Sequence, residues 1–433
     1  MATKKKADIE PINPFAIFDT FETGDKFVDS GKDRPTYGYG DSGCYALNGI
    51  LCGDVYGGFP LNKVVQTAGF MGSGKSLLGK YNFCSAVFAK GYFVYYIDTE
   101  NETTEEDLVT LADFPRGQFK VLHYHTVEEC HYGISRILRQ MEEYMEKNKT
   151  LINDHPFAFV LDSQGQLSTN KAINDVLAGE DKVDLTKAKK LKAMYNDITY
   201  RLGELGVPMY VTNHLYWNPN AAQTHSDPKV VAGGEGSKYS ASIILQVRKE
   251  AEKINKGATA KEGKEVTGIF INISAQKNRL VHDGFGTRLY LSYKSGLSKY
   301  YGLHVWAKEA GLIEEYSKTA FPYVEPPRDE SGRVSRKTSV VIKDPKIPKE
   351  QWIAIPEGRV HTKQAIGTIL DEINEYIRGK YKNQRIAVFG DDTVAADELT
   401  DADESEIDAA SDRDLAEKTR QAMALAEALE NDA

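Results

Sequence analysis

The stretch Gly69-Phe70-Met71-Gly72-Ser73-Gly74-Lys75-Ser76 decides the fold of this chain, because it has the G-x-x-x-x-G-K-S spacing of a phosphate-binding loop. Apolar residues precede it (Val64, Val65 and Ala68), and a helix-like stretch, residues 77–90, follows it. In that context, backbone N–H groups and a helix N-terminus cradle a polyphosphate. A bare structural turn would not require the Lys-Ser pair, so the stretch predicts a nucleoside triphosphate site.

The polar positions of this loop have separate expected tasks. Lys75 is expected to reach the terminal phosphates, and the Ser76 hydroxyl to ligate Mg²⁺. The predicted ligands are therefore ATP and Mg²⁺. The nucleotide cradle is predicted to comprise Gly69, Gly72, Ser73, Gly74, Lys75, Ser76 and Leu77.

Length and composition indicate a large folded core with appendages. The 433 residues are 41% hydrophobic and 27% charged, and no run of 18 apolar residues predicts a membrane span. The N-terminus lacks a signal-peptide pattern, and the four cysteines are scattered without metal-ligand spacing. We therefore expect a cytoplasmic protein (host cytoplasm if phage-encoded) with reduced thiols, no membrane partner and no zinc site.

Charge is distributed unevenly along the chain. Residues 391–433 hold 15 acidic and three basic side chains, a local charge of −12, whereas the whole chain carries −9. Residues 1–390 are therefore slightly basic, at +3. The tail can be a solvated solubility segment. The functional alternative is that it competes with another polyanion for a basic surface on the body.

Alternating strand-like and helical segments predict an α/β fold with a mainly parallel twisted sheet, flanking helices and some late antiparallel strands. Within it, residues 164–183 and 215–236 are predicted to be mobile loops, 318–350 a linker or an irregular excursion, and 363–377 a helix. We divide the chain into an N-terminal arm, an ATPase core, a linker with a small C-terminal region, and a largely disordered acidic tail. Their ranges are 1–41 (a candidate oligomerisation segment), 42–317, 318–390 and 391–433.

Polar residues at predicted strand ends complete the candidate site, because ligands of such sheets bind at the carboxyl ends of strands. Asp162 ends an apolar strand and is suited to hold Mg²⁺ through a water; it could otherwise serve as a turn or helix cap. Glu100 and Asp98 are both candidates for orienting the attacking water. His214 follows a later strand, where it could contact the γ-phosphate or be a satisfied structural histidine.

The ordered set of motifs resembles the RecA recombinases, most closely their phage UvsX-type branch. The resemblance covers about residues 42–315 and continues more weakly to about 380. It therefore implies a RecA-like P-loop ATPase core. The phosphate loop alone is shared by many NTPases, whereas the ordered set is specific. The other matching segments are 57–60, 97–100, 161–163, 212–214, 233–242, 277–279 and 302–313.

The resemblance implies roles for the candidate residues. Glu100, rather than Asp98, would orient the hydrolytic water, and His214 would sense the γ-phosphate. Lys277 and Arg279 would reach the ATP of a neighbouring subunit in a helical filament. The implied partners are single-stranded DNA, homologous duplex DNA and further copies of this chain, with a single-strand-binding protein and a mediator protein as additional candidates.

In this family two mobile loops bind DNA, and they would correspond here to 164–183 and 215–236. Lysines would contact phosphates, paired glycines would offer backbone N–H groups, and aromatic side chains would stack on bases. Each lysine taken alone is more often a solvated surface charge. The candidates are Lys171, Lys182, Tyr216, Trp217, Lys229, Gly233, Gly234 and Lys238.

The leading hypothesis is a DNA-dependent ATPase that forms a filament on single-stranded DNA and promotes homologous pairing and strand exchange in recombination and repair. One alternative is a hexameric DNA helicase with a RecA core, which the short segment before residue 69 opposes. Another is a nucleotide-switched scaffold without DNA binding, which the loop lysines and aromatics oppose. One departure from the family is that residues 101–107 lack an aromatic that could stack on adenine.

Overall fold

The computed structural model describes residues 38–148, 156–179, 186–217, 229–231, 238, 240–250, 268–328, 332–335 and 337–382. Predictions that concern the N-terminal arm before residue 38, Lys182, Gly233, Gly234 and the acidic tail lie outside the described residues.

The described residues contain a central sheet of ten strands and two small antiparallel sheets. β1 pairs with β2, and β13 with β14 and β15. The strands are β1 Tyr39–Gly40, β2 Phe59–Pro60, β3 Val64–Gly69, β4 Phe93–Asp98, β5 Phe119–His123, β6 Phe157–Asp162, β7 Met209–Trp217, β8 Lys229–Val231, β9 Ile243–Glu250, β10 Gly268–Asn278, β11 Gly286–Ser292, β12 Gly296–Leu297, β13 Ile313–Glu315, β14 Ser339–Ile342 and β15 Ile353–Pro356.

The central sheet follows the order β5-β4-β6-β7-β3-β9-β10-β11-β12, with β8 paired to β7. The six strands β5, β4, β6, β7, β3 and β9 are parallel to one another. Strands β10, β11 and β12 are then added to β9 in antiparallel pairs. The prediction of an α/β fold with a mainly parallel sheet and late antiparallel strands is therefore confirmed. The register aligns Asp98 with Asp162 across β4 and β6, and Gly69 with His214 across β3 and β7.

Helices are packed on both faces of this sheet. The α-helices are α1 Tyr45–Cys52, α2 Lys75–Leu77, α3 Cys84–Phe88, α4 Glu105–Ala112, α5 Val127–Asn148, α6 Asn170–Leu177, α7 Thr186–Leu205, α8 Leu303–Glu309 and α9 Leu370–Ile377, and π-helical turns, Leu78–Phe83, join α2 to α3. Successive side chains of β6 point to opposite faces of the sheet and therefore pack in different hydrophobic cores. Ala158 and Val160 join the core that includes α1 and α9, whereas Phe159 and Leu161 join the core of α5 and α7.

Two segments predicted to be loops contain regular structure instead. Residues 164–179 form a 3₁₀ turn, Gln164–Gln166, followed by α6; Thr169 begins α6 by accepting the Ala172 N–H at 3.0 Å. β7 continues past His214 to Trp217 and pairs with β8 as an antiparallel ribbon. The prediction of loops was wrong here because turn-forming residues also make good helix caps, and because strand pairing is not visible in the sequence.

The region after residue 317 also differs from the predicted linker. β14 is buried throughout, since it consists of the apolar run Val340-Val341-Ile342 preceded by Ser339. The predicted helix over 363–377 is shorter: a 3₁₀ turn, Ile366–Ile369, precedes α9. The side chain of Asn374 accepts the backbone N–H of Val55 at 2.9 Å, so α9 is fastened next to α1. No helix in the described part of the chain has both the length and the apolar character that a bilayer crossing needs.

Candidate nucleotide-binding and hydrolysis site

The phosphate loop joins β3 to α2 with the backbone geometry that its glycines allow. Gly72 and Gly74 have φ of 71° and 93°, which is the left-handed region that favours glycine. Gly69 is needed for space, because a Cβ there would lie 2.4 Å from Ser73 Oγ and 2.7 Å from the Val247 carbonyl oxygen. Ser73 Oγ is buried and makes no hydrogen bond to another described residue. A buried hydroxyl without a partner fits a cradle for a phosphate oxygen.

Lys75 is buried beneath this loop. Its Nζ donates to the Phe70 carbonyl at 2.9 Å, so the ammonium group is held against the backbone of the phosphate loop. Burial lowers the pKa of Lys75, while the nearby carboxylates of Asp162 and Glu100 act in the opposite direction. A cation of this kind, held in a poorly hydrated site, gains strongly from a polyanionic ligand.

Asp162 lies at the carboxyl end of β6 and accepts three side-chain hydrogen bonds. Ser76 Oγ and Thr212 Oγ1 donate to Asp162 Oδ1 at 3.0 and 2.5 Å, and the Tyr96 hydroxyl donates to Oδ2 at 2.7 Å. The carboxylate is therefore held next to the Ser76 hydroxyl. A hydroxyl and a carboxylate are hard oxygen ligands, the set that Mg²⁺ prefers. The two residues predicted to serve the metal are adjacent.

Glu100 and Asp98 lie at the same strand end but have different surroundings. Asp98 is buried, and its carboxylate accepts the backbone N–H groups of Glu100, Asn101 and Thr103 at 2.9, 3.0 and 2.8 Å. Its lone pairs are therefore used to shape the turn after β4. That turn presents Glu100 towards Ser163 Oγ, 2.9 Å from its Oε1. The geometry favours Glu100 over Asp98 as the group available to a water.

Ser163 joins Glu100 to His214. Besides its contact with Glu100, Ser163 Oγ lies 3.2 Å from His214 Nε2, and the two flanking groups are themselves 3.6 Å apart. Ser163 is fixed in turn by Thr99, whose hydroxyl accepts the Ser163 N–H at 2.9 Å and donates to its carbonyl at 2.7 Å. The predicted residues Glu100 and His214 thus meet through Ser163, which lies in the matching segment 161–163 but to which we assigned no role from the sequence.

Lys277 and Arg279 lie at the opposite end of the sheet from the phosphate loop of the same chain. Lys277 pairs across β10 and β9 with Ile244, and Ile244 pairs with Gln66 near the start of β3. The phosphate loop begins only after Gly69, at the other end of that strand. Lys277 Nζ donates to the Lys238 carbonyl at 2.7 Å, and burial, followed by the charge of Arg279, lowers the pKa of Lys277. The structure does not bring this pair together with Lys75.

The residues predicted to contact DNA are placed in part. Tyr216 follows His214 on the same side of β7 and is 55% exposed, as a stacking residue must be. Lys171 pairs with Asp175 at 3.6 Å on the surface of α6. Trp217 and Lys229 are described only as parts of strands β7 and β8. The carbonyl of Lys238 accepts the hydrogen bond from Lys277 Nζ given above.

Sequence reasoning missed the residues that hold the site together. Thr99, Ser163 and Gly165 lie one to three residues from predicted site residues, but short polar residues and glycine after a strand are also common turn formers. Tyr96 and Thr212 lie inside apolar strands. Because side chains alternate between the two faces of a strand, the positions of Tyr96 and Thr212 could have indicated that they share a face with the strand-end carboxylates.

Comparison with known proteins gives one partial similarity. The chain is 26% identical over 153 residues to the "Recombination and repair protein" of Enterobacteria phage T4. The aligned part covers 35% of this chain and 36% of that protein, so the chain spans about a third of the length of its curated relative. No family model matches the chain.

Proposed function

We propose that this chain is an ATP-hydrolysing recombination and repair protein that assembles as a filament on single-stranded DNA and promotes homologous pairing and strand exchange. The observation that carries the proposal is the convergence of Lys75, Ser76, Asp162, Glu100 and His214 at one end of the parallel sheet. The similarity to a phage recombination and repair protein supports the same class of function.

The candidate site suits ATP together with Mg²⁺. The loop amides, the buried Lys75 and the Ser73 hydroxyl, which has no partner among the described residues, would bind the phosphates, while Ser76 and Asp162 would hold the metal. Bound Mg²⁺ neutralises charge that develops on the phosphate oxygens. Glu100 would orient the attacking water, since Ser163 Oγ, 2.9 Å from its Oε1, holds the carboxylate at the end of β4. His214, 3.6 Å from Glu100, would contact the γ-phosphate.

The position of Lys277 and Arg279 supports assembly. Phosphoryl transfer gains greatly from a cation supplied to the transferring group, often by a second subunit. Because these two residues lie at the far end of the sheet, they can serve an ATP site only if that site belongs to a neighbouring copy. A head-to-tail contact of this kind repeats from subunit to subunit and builds either a helical filament or a ring. The nucleotide would then lie between protomers.

DNA binding is supported by the surface next to His214. The exposed Tyr216 follows the proposed phosphate sensor by two residues, so a base stacked on it would be close to the nucleotide site. Helix α6, which begins in the first predicted DNA-binding segment, buries none of its residues and carries Lys171. A DNA strand would therefore contact an aromatic side chain, Tyr216 of β7, and a basic side chain, Lys171 of α6.

Electron microscopy with single-stranded DNA, Mg²⁺ and a slowly hydrolysed ATP analogue tests the proposal. Helical filaments are expected, together with ATP turnover that rises on adding single-stranded DNA. Lys75→Ala should abolish turnover, and Lys90→Ala, which alters an exposed lysine at the end of the same helical segment, should leave it unchanged. Closed six-membered rings would instead support a helicase. Turnover that single-stranded DNA does not change would favour a nucleotide-switched scaffold.

A further inference from the structure

The helical segment that follows the phosphate loop contains a wider turn than an α-helix has. Its residues Leu78–Phe83 are π-helical, and the Cys84 N–H donates to the Gly79 carbonyl, five residues back. Gly79 lies directly against β7, because a Cβ there would be 2.8 Å from Cε1 of the Tyr210 ring. Single π-helical turns inside α-helices are rare and are frequently found at functional sites. A side chain that this turn directs towards the candidate site therefore merits a role there.

Lys80 is such a side chain. Its Nζ donates to Thr103 Oγ1 at 2.8 Å and lies 5.6 Å from the centre of the Tyr96 ring, within the range of a cation–π contact. Thr103 is buried, so the hydroxyl that accepts this bond is held in a fixed place. Lys80 therefore joins the helical segment after the phosphate loop to strand β4 and to the turn that follows β4.

The turn after β4 carries Glu100 and has a backbone that must be held. Asn101 within it has φ of 55°, in the left-handed region, and residues other than glycine keep such a conformation only where their surroundings fix it. Asp98 holds the turn through three backbone N–H groups, as described above, and Lys80 holds it through the Thr103 hydroxyl. The position of Glu100 therefore depends in part on the bond between Lys80 and Thr103.

The same ammonium group also lies next to a support of the candidate metal site. Tyr96, whose ring Lys80 approaches, donates its hydroxyl to Asp162 Oδ2 at 2.7 Å. Lysine suits this position because its long, flexible side chain ends in a compact charge that attracts both an oxygen and a ring face. Lys80 thus contacts one residue behind the candidate water-orienting carboxylate and one behind the candidate metal ligand.

We propose that Lys80 is a positioning residue for ATP hydrolysis, which acts by holding Thr103 and, through it, the turn that presents Glu100. This assignment rests on the proposed function, because it adds a residue to the same site. Lys80 bonds to the turn after β4 and not to the phosphate loop, so its loss should slow hydrolysis without weakening the binding of ATP. A displacement of about 1 Å in a reacting arrangement can cost about a hundredfold in rate.

Steady-state hydrolysis of ATP by the full chain with Mg²⁺ and single-stranded DNA, together with equilibrium binding of a fluorescent ATP analogue, tests this role. We expect Lys80→Met to lower kcat about 10- to 100-fold and to leave KM and the Kd of the analogue within about twofold. Thr103→Val removes the acceptor but keeps the shape and the backbone N–H, and should cause the same loss. Thr103→Ser keeps the hydroxyl and should retain the native rate. Lys90→Met alters an exposed lysine at the end of the same helical segment and is the matched control.

Double variants separate positioning from general damage. If Lys80 and Thr103 act as one contact, the combination of Lys80→Met and Thr103→Val should be no slower than either alone. If they act through Glu100, adding Lys80→Met to Glu100→Gln should cause no further loss in single-turnover hydrolysis. Additive losses in either combination would overturn the proposal.

The remaining outcomes distinguish this role from the proposed function. An equal loss of analogue binding and of hydrolysis in Lys80→Met would overturn the positioning role, because the lysine would then support the nucleotide cradle or the fold. Native turnover that Lys80→Met leaves unchanged would overturn the positioning role alone. A native chain that neither bound the analogue nor hydrolysed ATP would refute the proposed function, and this assignment with it.

Discussion

The Ser76 hydroxyl donates to Asp162 Oδ1 over 3.0 Å and joins the phosphate loop to a strand end that lies 86 residues further along the chain. The same carboxylate accepts from Thr212 and Tyr96, so strands β4, β6 and β7 and the loop meet at one group. An ionised group with this many donors is held in one orientation. The candidate metal site is consequently organised by the protein itself.

The buried cation of Lys75 predicts an unusual pH dependence of stability. Because burial lowers its pKa in the folded state below the 10.5 of an ordinary lysine, the unfolded chain binds more protons between those two values. The destabilisation is therefore fully present below the lowered pKa of folded Lys75 and is lost as the pH rises through 10.5. We expect Lys75→Met to raise the free energy of unfolding at pH 7 without nucleotide, and this gain to shrink towards pH 10.5. Urea unfolding of both proteins across this range measures it. Lys90→Met should show no such trend, and a gain that does not vary with pH would contradict the cause given.

Glu100→Gln should slow ATP hydrolysis while leaving nucleotide and DNA binding intact. The amide keeps the size of the side chain but cannot accept a proton from the attacking water, and loss of such a group typically costs about 10²–10⁴-fold in rate. Single-turnover hydrolysis and equilibrium binding of a fluorescent ATP analogue separate the two effects. Glu102→Gln, two residues away and exposed, is the control. Equal losses of binding and hydrolysis would remove Glu100 from the catalytic role.

Asp98→Asn is expected to act on stability first. The carboxylate of Asp98 accepts three backbone N–H groups, and an amide has only one oxygen with which to replace these bonds. Leaving a buried donor unsatisfied costs about 1–3 kcal/mol, which chemical denaturation can measure. Asp113→Asn serves as the control, since Asp113 is exposed and its left-handed backbone conformation suits asparagine. A loss of hydrolysis larger than that of Glu100→Gln, with unchanged stability, would return Asp98 to the role of water-orienting base.

Mixing two inactive variants tests whether the ATP site is shared. Lys75→Ala lacks the lysine proposed to bind the phosphates, and Arg279→Ala lacks the cation proposed to reach the neighbour's ATP. In a random equimolar assembly about a quarter of the head-to-tail contacts combine an intact phosphate loop with an intact Arg279. We therefore expect ATP turnover to recover on mixing, to about a quarter of the native value. Each variant alone, at the same total concentration, provides the baseline. If mixing restored nothing while both variants still assembled, Arg279 would not act in trans.

Removing residues 391–433 should strengthen DNA binding. The tail carries a charge of −12 and leaves a body at +3, so the tail and DNA would compete for the same basic surface. The salt concentration at which half of the single-stranded DNA dissociates is expected to rise in the truncated chain. A chain in which the acidic residues of the tail are changed to Asn and Gln keeps its length and should behave like the truncation. An unchanged salt midpoint in both would mean that the tail affects solubility only.

The sequence by itself determined the phosphate loop, the α/β class, the strand-end carboxylates and the charge of the tail. Each of these depends on local chemistry: glycines where φ is positive, alternating or continuous apolar runs, and polar residues where strands end. Only the tertiary structure decided which strand ends are neighbours, and therefore that Asp162 meets Ser76 and that Glu100 meets His214 through Ser163. It also separated Lys277 from the phosphate loop of its own chain and turned part of a predicted loop into α6. Strand order and packing depend on contacts between residues far apart in the chain, which a local pattern cannot specify.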